Sequence, residues 1–180
     1  MMELVCPAGT TADLRAAVDA GAHAVYCGFA DETNARNFPG LNFDREELAA
    51  GVAYAHARGA KVLVAVNTFP RAGDDGPWRR ALADAEACGA DAVILADLGL
   101  LAHAAEAHPG LRRHLSVQAA AANADVIDFY GREFGVKRVV LPRVLSAPEI
   151  AAINAETAVE TEVFVFGGLC VMAEGRCALS

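Results

Sequence analysis

The sequence predicts an α/β chain folded as a TIM-like (β/α) barrel, with seven βα units visible and the barrel incomplete within this chain. Three observations carry that prediction. Short apolar, β-branched runs alternate with amphipathic stretches, the pattern of βαβ units around a parallel sheet. A glycine joint recurs in Gly21-Ala22-His23-Ala24-Val25, Gly59-Ala60-Lys61-Val62, Gly89-Ala90-Asp91-Ala92-Val93 and Gly135-Val136-Lys137-Arg138-Val139, each time after a helical stretch and before a strand. Glycine there accepts the left-handed conformation that ends a helix. Finally, the first strand–helix loop, Pro7-Ala8-Gly9-Thr10, lacks the GxGxxG of a dinucleotide fold, and no GxxxxGK[ST] occurs.

The elements follow in order. Strands are expected at residues 3–6, 24–27, 61–67, 92–96, 114–118, 138–141 and 162–166, where apolar and β-branched residues cluster. Helices are expected at 11–20, 45–58, 77–88, 98–107, 124–134 and 147–155. Thr10 or Thr11 marks the first helix start and Asp44 the second. Ser146-Ala147-Pro148-Glu149 places a cap, a first-turn proline and an acid three residues after the cap. A complete barrel takes roughly 250 residues. Residues 1–180 are therefore read as a single barrel domain, the N-terminal portion of a longer protein.

Composition narrows the function. The 180 residues include 40 alanines, with 54% hydrophobic, 21% charged and 7% aromatic residues, so disorder is excluded and close helix packing favoured. Fifteen basic against 23 acidic side chains give a net charge of −8, which counts against general polyanion binding and leaves only a local basic pocket open. No apolar run approaches the roughly 20 residues of a membrane span. The start shows no basic segment followed by an apolar one, so a cytoplasmic protein is expected. Five cysteines then read as free thiols, redox groups or metal ligands rather than a disulfide framework.

In a barrel the loops after the strands form the functional face. Strand ends contribute Cys6, Tyr26 to Gly28, Asn67, Asp97, Gln118, Arg143 and the loop 167–177, and the long second connection adds Asn34, Arg36 and Asn37. Each has a plainer reading beside the functional one: Asp97 as a helix cap, Asn34 and Asn67 as turn supports, Arg143 in a rim ion pair. The loop 167–177 is the most unusual segment. Two glycines follow a strand, then come Cys170 and Cys177 with six residues between them, Glu174 and Arg176 among these. Thiolates bind soft metals and iron–sulfur clusters, but with only two ligands at this spacing the residues alone favour a pair of free thiols on a packed loop over a metal site. Cys27 and Cys88 read as small core residues, and His103 and His108 as surface groups. No HExxH, GxSxG or Cys–His protease signature occurs.

Several motifs together resemble the collagenase-like peptidase family U32. They are Glu3-Leu4-Val5-Cys6-Pro7-Ala8-Gly9, Thr33-Asn34-Ala35-Arg36-Asn37-Phe38, Gly40-Leu41-Asn42-Phe43, Val66-Asn67-Thr68-Phe69 and Ile94-Leu95-Ala96-Asp97-Leu98. Ser116-Val117-Gln118-Ala119, Val140-Leu141-Pro142-Arg143-Val144-Leu145-Ser146, Phe166-Gly167-Gly168-Leu169-Cys170 and Glu174-Gly175-Arg176-Cys177 complete the set, which runs from Met2 to Ser180. Residues 33–43 and 141–146 resemble the UbiU-like branch of ubiquinone biosynthesis.

The resemblance implies oxygen-independent hydroxylation of a ubiquinone-precursor ring, with a UbiV-like homologous subunit and prephenate as oxygen donor. It implies a 4Fe–4S cluster on four cysteines, of which Cys170 and Cys177 match two, the others falling beyond Ser180. Glu174 and Arg176 are then the catalytic candidates. Asn34, Arg36, Asn67, Asp97, Gln118 and Arg143 are the substrate-binding candidates, the arginines suited to carboxylates because a guanidinium pairs with them bidentately. Other family members help hydroxylate bases of transfer or ribosomal RNA, and the name-giving members are peptidases. The acidic balance favours the small quinone precursor over RNA.

Overall fold

A computed structural model describes residues 2–167. Seven parallel strands run in sequential order: β1 (Val5–Pro7), β2 (Ala24–Gly28), β3 (Lys61–Val66), β4 (Ala92–Leu95), β5 (Arg112–Leu115), β6 (Arg138–Val140) and β7 (Glu160–Glu162). Each connection carries a helix: α1 (Thr11–Asp19), α2 (Arg45–His56), α3 (Gly76–Ala87), α4 (Leu98–Ala107), α5 (Ala124–Phe134) and α6 (Ala147–Glu156). Unbroken sequential order is the signature of a singly wound sheet curling into a barrel. A doubly wound sheet would reverse its strand order partway. Among the described residues β1 and β7 do not pair, so the barrel is incomplete.

Strand alternation divides the interior into two layers. Val62, Val64 and Val66 of β3 pack outward with helix residues such as Leu14, Leu48, Val52 and Leu82. Leu63 and Ala65 face inward and join Ala24, Ala92 and Ile94, with Val5 and Tyr26 against them. The four glycine joints end as expected, with φ of +95° at Gly21, +75° at Gly59, +81° at Gly89 and +64° at Gly135. Thr10, Asp44 and Asp97 cap α1, α2 and α4 by accepting backbone N–H groups with their side chains. At α6 the Glu149 carboxylate accepts from both the N–H and the hydroxyl of Ser146.

Two strands lie earlier than expected. The fifth is Arg112–Leu115, because Ser116 starts a 3₁₀ turn at Val117–Ala119 by accepting the Gln118 N–H on its Oγ. The seventh is Glu160–Glu162, in register with Arg138–Val140. There the ion pairs of Arg138 with Glu160 and Glu162 fix pairing that the charged sequence conceals, while apolar 163–166 run past the strand into solvent. No helix among the described residues is long and apolar enough to cross a membrane.

The floor of the barrel is ionic. Arg138 reaches from β6 to Glu3 before β1, and also bonds Glu160 at 2.8 Å and Glu162 at 3.4 Å on β7. Lys61 bonds Glu3 at 3.2 Å, and Arg112 bonds Glu160 at 2.7 Å. Side-chain bonds, from Arg138 first and then Lys61, hold the Glu3 carboxyl down at about 2. His114 lies among these groups, 2% exposed.

Candidate functional site

The loops after β2, β3 and β6 bring most of the predicted polar residues to one face. The β2–α2 connection is built around Asn34, itself buried. Its Nδ2 donates to Asn42 Oδ1 at 2.8 Å and its Oδ1 accepts the Arg36 N–H at 3.0 Å. Asn42 Nδ2 donates in turn to the Arg36 carbonyl at 2.8 Å. Gly28 makes room for this knot: a Cβ there would lie 2.3 Å from Asn34 Nδ2, so no other residue fits. Asn67 Oδ1 accepts the Ala35 N–H at 3.0 Å and the Thr68 N–H reaches the Thr33 carbonyl, stitching the loop after β3 to the loop after β2. The Thr68 hydroxyl donates to the Glu32 carbonyl at 2.7 Å and accepts from Trp78 Nε1 at 2.8 Å.

These contacts sort the six substrate-binding candidates. Asn34 and Asn67 are structural and hold the loops. Asp97 Oδ1 accepts the Leu100 N–H at 2.9 Å and caps α4, at the edge of a cavity of about 360 Å³ also lined by Pro70, Arg71 and Arg79. Arg36, Gln118 and Arg143 lie on segments that follow β2, β5 and β6. The Arg36 guanidinium has no hydrogen-bond or ion-pair partner among the described residues. Arg143 stacks over the Phe164 ring at 3.8 Å. Cys170, Glu174, Arg176 and Cys177 lie outside the described residues.

Tyr26, placed by the sequence on the functional face, was not singled out among the substrate-binding candidates. Position alone marks it as a strand end. The alternation that turns Ala24 inward also turns Tyr26 inward, and this is the signal that would have selected it. Burial raises its hydroxyl pKa first of all; Arg36 and Arg143 oppose that rise, while Glu162 and Cys6 add to it. The hydroxyl therefore keeps its proton and feels the charges of two arginines from different loops. Glu162, on the neighbouring inner face, has its carboxyl pushed up by burial against the pull of Arg138.

The cysteines do not converge. Cys27 is buried toward the helix layer, and burial pushes its thiol up to about 12. Cys88 donates its thiol to the Arg45 carbonyl at 3.4 Å. No group of three His, Cys, Asp or Glu side chains among the described residues is placed to hold a metal ion. His108, read from sequence as a surface group, is 9% exposed and bonds Glu86 at 2.6 Å. Among the described residues no histidine bonds a serine or cysteine; the partners of the five are Leu4, Asp91, Arg79, Glu86 and Arg112.

The chain is a parallel, incomplete (β/α) barrel with polar groups gathered at the strand C-terminal ends. Two solved barrel enzymes share the fold. Dihydrodipicolinate synthase of Agrobacterium tumefaciens matches 89% of this chain and 63% of its own, with a TM-score of 0.60 and 17% identity. Tryptophan synthase of M. tuberculosis matches 89% and 73%, with a TM-score of 0.62 and 16% identity. The model of peptidase family U32 matches residues 9–180, and the chain belongs to that family. An uncharacterized protease of Methanocaldococcus jannaschii is 40% identical over all of this chain and 44% of its own length. The tRNA hydroxylation protein P of Escherichia coli is 39% identical over 99% of this chain and 39% of its own. The 23S rRNA 5-hydroxycytidine C2501 synthase of Escherichia coli is 33% identical over 99% and 26%. The chain thus spans about two fifths of the length of the first two.

Proposed function

We propose that this chain forms the barrel part of an RNA-base hydroxylation factor. The observation that carries the reading is the 39% identity to a tRNA hydroxylation protein across 99% of the chain, supported by likeness to an rRNA 5-hydroxycytidine synthase. The geometry agrees with it. Arg36 and Arg143 supply local positive charge on a chain of net charge −8, and a guanidinium suits a phosphate or carboxylate. The Tyr26 hydroxyl donates a hydrogen bond to a group held between them. Gln118 offers an amide, with donor and acceptor together, to the edge of a base. The ubiquinone reading, with its UbiV-like subunit and prephenate donor, rests on sequence motifs alone. A peptidase reading gains nothing from the histidines, none of which is paired with a nucleophile among the described residues.

The 4Fe–4S cluster is part of the proposal through Cys170 and Cys177. The described cysteines Cys6, Cys27 and Cys88 do not fit as further ligands, since they sit on separate elements and Cys27 faces the helix layer. No step is derived through the cluster. The test uses the natural gene that carries this chain, placed in an Escherichia coli strain lacking its tRNA hydroxylation protein P. Return of the hydroxylated nucleoside in digested tRNA, seen by mass spectrometry, and its loss with Arg143→Ala support the reading. Full folding and expression with no hydroxylated nucleoside returned to tRNA, nor to rRNA in a strain that also lacks its 23S rRNA 5-hydroxycytidine synthase, contradicts it. Iron and sulfide on the same protein, purified without oxygen, should fall in Cys170→Ala.

A further inference from the structure

The motif Val66-Asn67-Thr68-Phe69 is only half explained by the loop contacts. Asn67 and Thr68 bind the neighbouring loop, and Arg71 pairs with Glu32 beyond them. Phe69 lies between these anchors, yet its side chain is 50% exposed. The exposed half of this phenylalanine gains nothing for folding, because that apolar surface stays in water. The adjoining loop repeats the arrangement. Phe38 is 41% exposed, next to a turn tied by Asn34, Asn42 and the Arg36 backbone, and Arg36 carries the unpartnered guanidinium. Neither phenylalanine ring contacts another ring or a cation among the described residues. Both stand on the strand C-terminal face, and Pro70 and Arg71 beside Phe69 line the cavity of about 360 Å³.

We propose that Phe69 and Phe38 are stacking platforms for unpaired bases of an RNA substrate, with Arg36 taking an adjacent phosphate. The inference rests on the RNA reading above and adds to it the strand state of the substrate and the residues that hold it. Aromatic faces accept any base, and single-stranded or looped RNA is what offers unstacked bases. Fixed loops suit the role, because a platform already in place loses no conformational freedom on binding. Of the acids nearby, Glu32 is paired with Arg71 and Asp75 with Arg79 at 2.7 Å, while Asp74 on the cavity rim has no ion pair among the described residues; Arg36 is the unpaired cation beside the platforms.

The test is fluorescence anisotropy with a labelled twelve-nucleotide single-stranded RNA (about twelve, spanning one platform pair), titrated with the full natural protein at low salt. A matching RNA with abasic sites at its centre is the second probe. Phe69→Ala should weaken binding of the intact RNA roughly 10- to 100-fold, Phe69→Trp should keep it, and Phe129→Ala on the outer face of α5 should leave it unchanged. On the abasic probe Phe69→Ala should have little effect. RNA binding that ignores Phe69→Ala and Phe38→Ala overturns the platforms and leaves the RNA reading standing. No RNA binding by the wild-type protein overturns both. Loss of self-association in Phe69→Ala by sedimentation, with RNA binding unchanged, assigns the face to a protein contact and also overturns the proposal.

Discussion

His114 lies on the inner face of β5, and its Nε2 accepts a hydrogen bond from Arg112 Nε at 3.0 Å. Its Nδ1 is buried with no hydrogen-bond partner among the described residues. Burial first, then the charges of Arg138 and Arg112, push its pKa down to about 3, so it is neutral in the folded protein. The unfolded chain binds this proton near pH 6.5 and the folded chain near pH 3. Between those values the unfolded state holds more protons, and stability falls as pH falls. Glu3, with its lowered pKa, adds to the acid loss below about pH 4.5, while Glu162, with its raised pKa, acts in the opposite sense. Urea midpoints should therefore drop between pH 6.5 and 4, by a total on the order of 2–4 kcal/mol. His114→Gln should flatten that drop. An equally steep loss in the variant would remove His114 as its cause.

Residue roles were less legible than residue positions. Asn34, Asn67 and Asp97, predicted as substrate-binding candidates, each accept a backbone N–H group in the structure. Short polar side chains satisfy loop N–H groups as readily as they bind ligands, and a sequence does not distinguish the two uses. Tyr26 was placed on the face without a role, and His114 was given none, because their meaning comes from inward orientation and from neighbours distant in sequence.

At the scale of elements, punctuation was the most readable feature. Glycine joints and helix caps are local chemistry, and α1, α2, α4 and α5 begin where the sequence places them. The misplaced strands β5 and β7 share a cause. Both start with charged residues whose strand state depends on the ionic floor, which no local pattern reveals. That floor also makes a prediction. The Arg138 side chain is 12% exposed and faces three carboxylates, Glu3, Glu160 and Glu162. Removing one partner of a buried ion network leaves uncompensated charge. Arg138→Met should destabilise the protein by about 2–4 kcal/mol in urea unfolding, and Glu162→Gln in that background should restore part of the loss. A cost near zero would mean that the network does not join β1 to β6 and β7.

The whole molecule shows why fold and function were legible to different degrees. Alternation and sequential order suffice for a barrel. The reaction class depends on the motifs at the strand ends and on the loop 167–177, so the choice between quinone and RNA could not come from periodicity. Net charge pointed toward the quinone, because it averages over a surface whose relevant part holds only a few arginines. The relatives point toward RNA. The most direct measurement is a parallel assay in the organism that carries this chain, grown without oxygen, with and without the gene. Nucleosides from tRNA and rRNA and the quinone pool would be quantified from the same cells by mass spectrometry. The account predicts loss of a hydroxylated nucleoside with an unchanged quinone pool. Intact nucleosides together with a depleted ubiquinone pool would contradict it.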